Sequence, residues 1–251
     1  MTTVDLNCVD LNCDMGEGCD NDVELLDLVT SANIACGFHA GGASTMAATV
    51  QAAKARGVAI GAHPSLDDRE GFGRRELGVT PAEAYDITAY QIGALQGIAR
   101  ATGVPLKHVK AHGALYNMAA RDEKLAEALA RAVKDVDASL LLFALAGSRM
   151  MEVGRSMGLR MAAEVFADRS YQDDGALTPR SKPGAMITDV GQSISQVMRI
   201  VREGCVVAQS GKMVALQADT VCIHGDQPGA VAFARALREA LTGIGVSVKA
   251  P

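Results

Sequence analysis

The sequence predicts an α/β fold built on parallel strands, and three observations support it. Short apolar segments recur along the chain, segments with helical periodicity separate them, and nucleotide-binding fingerprints of open sheets are missing from the sequence. Strands covered on both faces are expected to be apolar throughout. The predicted strands cover residues 9–13, 32–36, 58–62, 108–111, 140–145, 159–165 and 221–223.

The segments between these strands carry helix signals. Thr80, Pro81 and Glu83 form a capping box with proline in the first turn, and Gly103 ends the same helix. Apolar residues at helical spacing follow this start and recur in three later segments. They are Ile87, Tyr90, Ala94, Ile98, Leu125, Leu129, Val133, Val136, Val190, Ile194, Val197, Val201, Phe233, Leu237 and Leu241.

Alternating strands and helices permit a closed (β/α) barrel or an open doubly wound sheet. Neither GxGxxG nor GxxxxGK[ST] occurs, so the barrel is favoured. We expect one barrel domain over residues 1–251, with a β-hairpin insertion near 205–216. Two long polar loops, 64–78 and 166–186, interrupt the alternation, and loops of this length inside a compact domain are often functional.

Composition narrows the classes of function. The net charge is −5, tryptophan is absent and no basic stripe occurs, so we expect no nucleic-acid partner. The first residues include no basic region followed by an apolar one, so we expect no secretion signal, and no apolar run is long enough to span a bilayer. We therefore expect a cytoplasmic protein without membrane contact. The six cysteines lack CxxC spacing and are expected to be reduced and mostly buried.

Four of the five histidines follow predicted strands. They are His39, His63, His112 and His224, whereas His108 begins a strand. A single histidine of this kind is commonly a hydrogen-bonded core residue. Since the carboxyl ends of parallel strands share one face, four together predict an active site there.

Charged residues and glycines accompany these histidines. Asp14, Asp168 and Asp226 also follow strands, and each is a candidate general base or a residue that orients an imidazole. Lys110 and Arg169 suit an anionic ligand, although a solvated strand end equally explains the lysine. The remaining candidates are Glu17, one turn after Asp14, and the glycines near the histidines, including Gly41, which also suit ordinary turns.

The sequence leaves a catalytic metal open. Histidine and carboxylate ligands are present, but HExxH and HxH are absent. Any metal site would have to be assembled by the fold from distant segments.

Six motifs in order resemble the LamB/YcsF family: DLNCDMGE, ANIACGFHAGG, GAHPS with GFGRR, VKAHGALYN, FADRSY and CIHGD. The resemblance implies an irregular seven-stranded (β/α) barrel of the glycoside hydrolase/deacetylase class. It also implies hydrolysis of 5-oxo-L-proline to L-glutamate, with ATP, together with Mg²⁺, as co-substrate and with subunits B and C as partners. The implied catalytic residues are Asp14, His39, His63, Lys110, His112, Asp168, His224 and Asp226. The implied substrate-binding residues are Glu17, Gly41, Arg74 and Arg169.

Three departures from the family pattern stand out. Gly42 replaces a usual aspartate, which affects either a helix cap or a site carboxylate. Ala111 replaces a common proline, and Asp-Leu-Asn-Cys is duplicated at 5–8 and 10–13. Two other functions stay open: a stand-alone metal-dependent hydrolase or deacetylase acting on a sugar or amide, and a non-catalytic ligand-binding or regulatory subunit.

Overall fold

A computed structural model describes residues 8–227 and 229–251. The first Asp-Leu-Asn-Cys copy, apart from Cys8, and the start that we examined for a secretion signal lie outside the described residues. The strands are β1 (Cys8–Met15), β2 (Ser31–Ala35), β3 (Ala59–His63), β4 (Leu106–Lys110), β5 (Leu141–Leu145), β6 (Arg160–Phe166), β7 (Cys205–Val207), β8 (Met213–Ala215), β9 (Thr220–Ile223) and β10 (Ser247–Val248). The helices are α1 (Asp22–Leu26), α2 (Ala43–Arg56), α3 (Pro81–Ala101), α4 (Gly113–Ala119), α5 (Glu123–Asp137), α6 (Arg149–Ser156), α7 (Val190–Glu203) and α8 (Ala230–Gly243).

A closed parallel barrel forms the centre of the molecule. Within the described ranges its seven strands run in the order β1, β2, β3, β4, β5, β6 and β9, and β9 pairs with β1 to close the ring. The prediction of a (β/α) barrel is therefore confirmed. Strand β10 adds to the outer edge of β1, and β7 pairs with β8 in a separate antiparallel ribbon. That residues 1–251 form one domain stays a prediction.

Apolar side chains fill the layer between the barrel and its helices. On β1, the alternate residues Val9, Leu11, Cys13 and Met15 are buried in this layer. The predicted start of α3 is confirmed, because Thr80 Oγ1 accepts a hydrogen bond from the Glu83 amide, and the Glu83 carboxylate accepts one from the Thr80 amide. Gly42 is the N-cap residue of α2 and supplies no side-chain cap, so the family's usual aspartate would stand at a capping position.

The other face of β1 points into the barrel and is polar. Asn12 Nδ2 donates to Glu164 Oε1 on β6 at 3.0 Å, and Asn33 Nδ2 donates to Asn12 Oδ1 at 2.7 Å. His108 on β4 hydrogen-bonds Asn33 Oδ1 at 2.7 Å. Because β1 and β6, and β2 and β4, are not neighbours in the sheet, the Asn12–Glu164 and His108–Asn33 bonds cross the interior. Strand β1 therefore differs from strands that are apolar throughout, because its inward polar residues bond to polar residues of other strands inside the barrel.

The two long loops cover the carboxyl ends of the strands. Asp68 holds the first loop together by pairing with Arg75. The second contains antiparallel bridges between Arg169 and Met186 and between Tyr171 and Leu177. Among the described residues, no helix has the length and apolar character needed to cross a membrane.

Candidate active site at the carboxyl end of the barrel

A cavity of about 660 Å³ opens at the carboxyl ends of the strands. Most of the predicted site residues line it: Asp14, Glu17, His63, Arg74, Lys110, His112, Arg169, His224 and Asp226. His39 and Asp168 are buried directly behind the lining, where they contact Glu17 and His224. The chain therefore gathers the predicted residues around one space, but it divides the four histidines between two groups.

The first group joins three histidines to one carboxylate. Glu17 Oε1 lies 2.8 Å from His39 Nε2, 3.3 Å from His112 Nδ1 and 3.7 Å from His63 Nε2. His63 Nε2 and His112 Nδ1 are 2.9 Å apart. The His39 ring stacks on the His112 ring with centroids 3.8 Å apart. We call these four residues the imidazole cluster.

Backbone carbonyls fix the orientation of two rings in this cluster. His63 Nδ1 lies 2.7 Å from the Lys110 carbonyl, and His112 Nε2 lies 2.9 Å from the Phe72 carbonyl. Since a carbonyl only accepts, each of these nitrogens carries the proton. Phe72 reaches its position with φ of 55°, a left-handed conformation that is uncommon outside glycine. The first long loop therefore contributes directly to the cluster.

Burial disfavours charge within the cluster. It raises the pKa of Glu17 to about 9, with the nearby Asp14 carboxylate adding to the effect. Burial, reinforced by His63, lowers the pKa of His39 to about 3. Burial likewise lowers the pKa of His112 well below its usual range. The protein thus favours the neutral imidazoles of His39 and His112.

Lys110 forms the centre of a buried ion network. Its Nζ lies 2.9 Å from Asp14 Oδ1, 2.9 Å from Glu164 Oε1 and 3.0 Å from Cys222 Sγ. Although burial opposes the charge, Asp14 above all raises the pKa of Lys110 well above its usual value. Burial raises the pKa of the Cys222 thiol, which remains protonated. The ammonium already has two carboxylate partners and is not available to a substrate anion.

His224 and Asp168 form the second group. His224 Nδ1 lies 2.8 Å from Asp168 Oδ2, and Gln227 Nε2 donates to the same oxygen at 2.8 Å. Burial opposes ionisation of Asp168, but His224 lowers the pKa of this carboxyl below its usual value. The carboxylate therefore holds the proton on Nδ1 and leaves Nε2 as a base. Arg180 Nη2 lies 3.4 Å from that Nε2.

Arg74 and Asp226 form an ion pair at the mouth of the cavity, with Arg74 Nη2 at 2.8 Å from Asp226 Oδ2. The two side chains are 37% and 30% exposed, so water and ligands reach them. Because solvent screens this exposed ion pair, each side chain can also bind a ligand.

Two predicted substrate-binding residues have structural contacts. Arg169 donates to the carbonyls of Thr178 at 2.6 Å and Ala185 at 3.4 Å, which braces the second long loop. Gly41 is not among the described residues that line the cavity. Its φ is +71°, and a Cβ there would lie 2.9 Å from the Gly16 carbonyl, so glycine is required for close packing.

Sequence reasoning missed Asn12, Asn33, Glu164 and Arg180. The first three belong to the network inside the barrel, and strict alternation of polar and apolar residues in β1 is the pattern that reveals such a face. Arg180 lies in a loop without periodicity. The only signal that could have identified it is its position in a loop with other charged residues.

Comparisons with known proteins agree with this architecture. The model of the LamB/YcsF family matches residues 9–251. The chain belongs to the LamB/YcsF family. The 5-oxoprolinase A subunit of Bordetella pertussis is 60% identical, covering 96% of this chain and 98% of that one. The corresponding A subunit of Bacillus subtilis is 53% identical, covering 96% of each chain.

Solved structures show the same fold in this family and outside it. The crystal structure of a lactam utilization protein from Thermus thermophilus has a TM-score of 0.91 and 48% identity, covering 97% of this chain and all of that one. A T48 deacetylase with substrate has a TM-score of 0.52 at 14% identity, covering 98% of this chain and 90% of that one. This second likeness concerns the fold alone.

Proposed function

We propose that this LamB/YcsF chain is the A subunit of an ATP-dependent 5-oxoprolinase, which opens 5-oxo-L-proline to L-glutamate together with subunits B and C. The observation that carries the proposal is the cavity, which places arginines beside a carboxylate-oriented histidine. The names and the 52–60% identities of the relatives support the same substrate.

Arg74 and Arg180 are the groups proposed to bind the anionic parts of the substrate. Among the described residues, the Arg180 guanidinium hydrogen-bonds His224 Nε2 and Met186 Sδ, each at 3.4 Å, and neither neutralises its charge. Arg74 has one partly exposed carboxylate partner. A guanidinium binds carboxylate or phosphoryl oxygens through paired hydrogen bonds, which suits both the acid group of 5-oxoproline and a phosphorylated intermediate.

His224 is the proposed general base. Asp168 keeps the proton on Nδ1, so Nε2 can take a proton from water. In the proposed route, ATP transfers its γ-phosphoryl group to the lactam oxygen. Water then adds to the lactam carbonyl carbon while His224 removes a proton from that water. The carbon–nitrogen bond breaks as the nitrogen gains a proton. A second water splits the resulting acyl phosphate into L-glutamate and inorganic phosphate.

The test is an assay of L-glutamate release from 5-oxo-L-proline and Mg–ATP, with this chain alone and with subunits B and C. The proposal expects release that needs ATP and the partner subunits. Replacing His224 by Ala should remove it, whereas the exposed Lys107→Met should not. Release without ATP would support a stand-alone hydrolase. Normal release by the His224 variant would leave a non-catalytic role.

A further inference from the structure

Two ring nitrogens of the imidazole cluster face each other at close range. His63 and His112 each use their protonated nitrogen on a backbone carbonyl, at 2.7 and 2.9 Å. Their other nitrogens, Nε2 and Nδ1, face each other at 2.9 Å, and in the neutral rings both carry a lone pair. Two acceptors at hydrogen-bond distance repel unless a cation lies between them.

The remaining members of the cluster place further ligand atoms around the same two nitrogens. The carboxylate of Glu17 lies 3.3 and 3.7 Å from the same two nitrogens and 2.8 Å from His39 Nε2. His39 is only 1% exposed, and its buried Nδ1 has no hydrogen-bond partner among the described residues. The four side chains therefore offer one carboxylate oxygen and three nitrogens to a common centre.

We propose that Glu17, His39, His63 and His112 bind a divalent first-row transition-metal ion, with Zn²⁺ as the best match. Three imidazoles and one carboxylate are a ligand set typical of this metal. Bonds of about 2.0–2.1 Å in a tetrahedron place neighbouring ligand atoms roughly 3.3–3.4 Å apart. The distances within the cluster, 2.8, 2.9, 3.3 and 3.7 Å, lie on both sides of that value.

The surroundings of the cluster match those of metal-binding histidines. Such histidines commonly donate their second nitrogen to a carbonyl or carboxylate, which fixes the ring and makes it a stronger ligand. The Lys110 and Phe72 carbonyls have this position here. Glu17, His63 and His112 also line the cavity, so a bound ion would border the space assigned to the substrate.

A second group of possible ligands, Asp14, Cys222 and His224, is less suitable. Lys110 Nζ lies 2.9 Å from Asp14 and 3.0 Å from Cys222 Sγ, so an ammonium already fills the position of a cation. His224 directs Nδ1 to Asp168. We therefore assign the ion to the imidazole cluster.

The test is the metal content of the purified full chain. Protein stripped with a chelator, loaded with Zn²⁺ and separated by gel filtration should retain one equivalent, measured by plasma mass spectrometry. Loading with Co²⁺ should give the intense visible absorption of a four-coordinate site. Loss of an outer-shell partner typically lowers metal affinity roughly tenfold to hundredfold. Glu17→Gln and His112→Gln remove direct ligands, so each should lower the Zn²⁺ affinity by at least this factor. His224→Gln should bind as the unaltered chain does.

Circular dichroism of each variant establishes that the barrel is folded before binding is measured. If a ligand variant does not fold, the rise in melting temperature of the unaltered chain on adding Zn²⁺ provides the decision. No retained metal and no such rise would overturn the assignment, as would loss of binding by His224→Gln alone. These measurements need no substrate, so they fail or succeed independently of the 5-oxoprolinase proposal.

Discussion

Replacing Lys110 by Met tests the buried ion network. The variant removes the ammonium that lies 2.9 Å from both Asp14 Oδ1 and Glu164 Oε1. Lys110 is 2% exposed and Glu164 is fully buried, so water compensates poorly for the lost charge. Breaking a buried pair from one side costs about 3–5 kcal/mol. That is a large part of the roughly 5–15 kcal/mol by which such proteins are stable.

Urea unfolding followed by circular dichroism measures this loss. With a slope of about 3 kcal/mol per M, the midpoint should fall by roughly 1–2 M. Lys107→Met changes an exposed lysine of the same strand and should stay within about 0.5 kcal/mol of the original chain. Adding Glu164→Gln to Lys110→Met should recover part of the loss, because one unpaired carboxylate is removed. A loss below about 1 kcal/mol would refute a charge-centred network.

Three further changes have distinct expected results. Gly61→Ala places a methyl group against the imidazole of His108 and should lower the free energy of unfolding by about 1–3 kcal/mol, measured by thermal denaturation. Asp168→Asn should lower glutamate release by about 10²–10⁴-fold, because the amide no longer fixes the proton on His224 Nδ1. Burial raises the pKa of Asp10 from 3.8 to about 6. Folding therefore favours the protonated acid, whose stabilising contribution is complete below about pH 4 and is lost as the pH rises through 6. Asp10→Asn should remove up to about 3 kcal/mol of this pH dependence, measured by denaturation across the range.

Each of these changes has its own control. Gly93→Ala lies in α3, and no described residue beyond its own stretch of helix has a heavy atom within 4 Å of the new methyl group, so the change should stabilise the helix. Equal losses at Gly61 and Gly93 would contradict the packing argument. Unchanged kinetics in Asp168→Asn would remove that carboxylate from the mechanism. Parallel pH curves for Asp10→Asn and the original chain would show that Asp10 titrates alike in the folded and unfolded states.

The barrel and the gathering of site residues were predictable because both follow from strand order. Parallel strands present their carboxyl ends on one face, so residues that follow them converge whatever their separation in sequence. His39, His63 and His112 are brought together from three successive strand ends in this way. The alternation of polar residues in β1 was also readable, although treating the strands as uniformly apolar concealed it.

The partners of each side chain could not be predicted from strand ends alone. Lys110 and Arg169 both looked available for an anion, but one is bound between carboxylates and the other braces a loop. His224 resembled the other three histidines in position, yet Asp168 draws it into a separate pair. These outcomes depend on side-chain directions across the barrel and on loop conformation, neither of which has a period in the sequence.

Lys110 connects the buried ion network to the imidazole cluster, and it uses different atoms for the two contacts. Its ammonium belongs to the ion network, whereas its backbone carbonyl accepts the proton of His63 Nδ1. Lys110→Met removes the first contact and keeps the second, so the His63 ring keeps its orientation and Nε2 stays directed at the imidazole cluster. Loss of a nearby positive charge also favours a bound cation. We therefore expect the variant to retain Zn²⁺ in the gel-filtration assay despite its lower stability, when the assay is run under conditions in which the variant is folded. Loss of the metal would mean that the lysine side chain, and not only its carbonyl, holds the cluster in place.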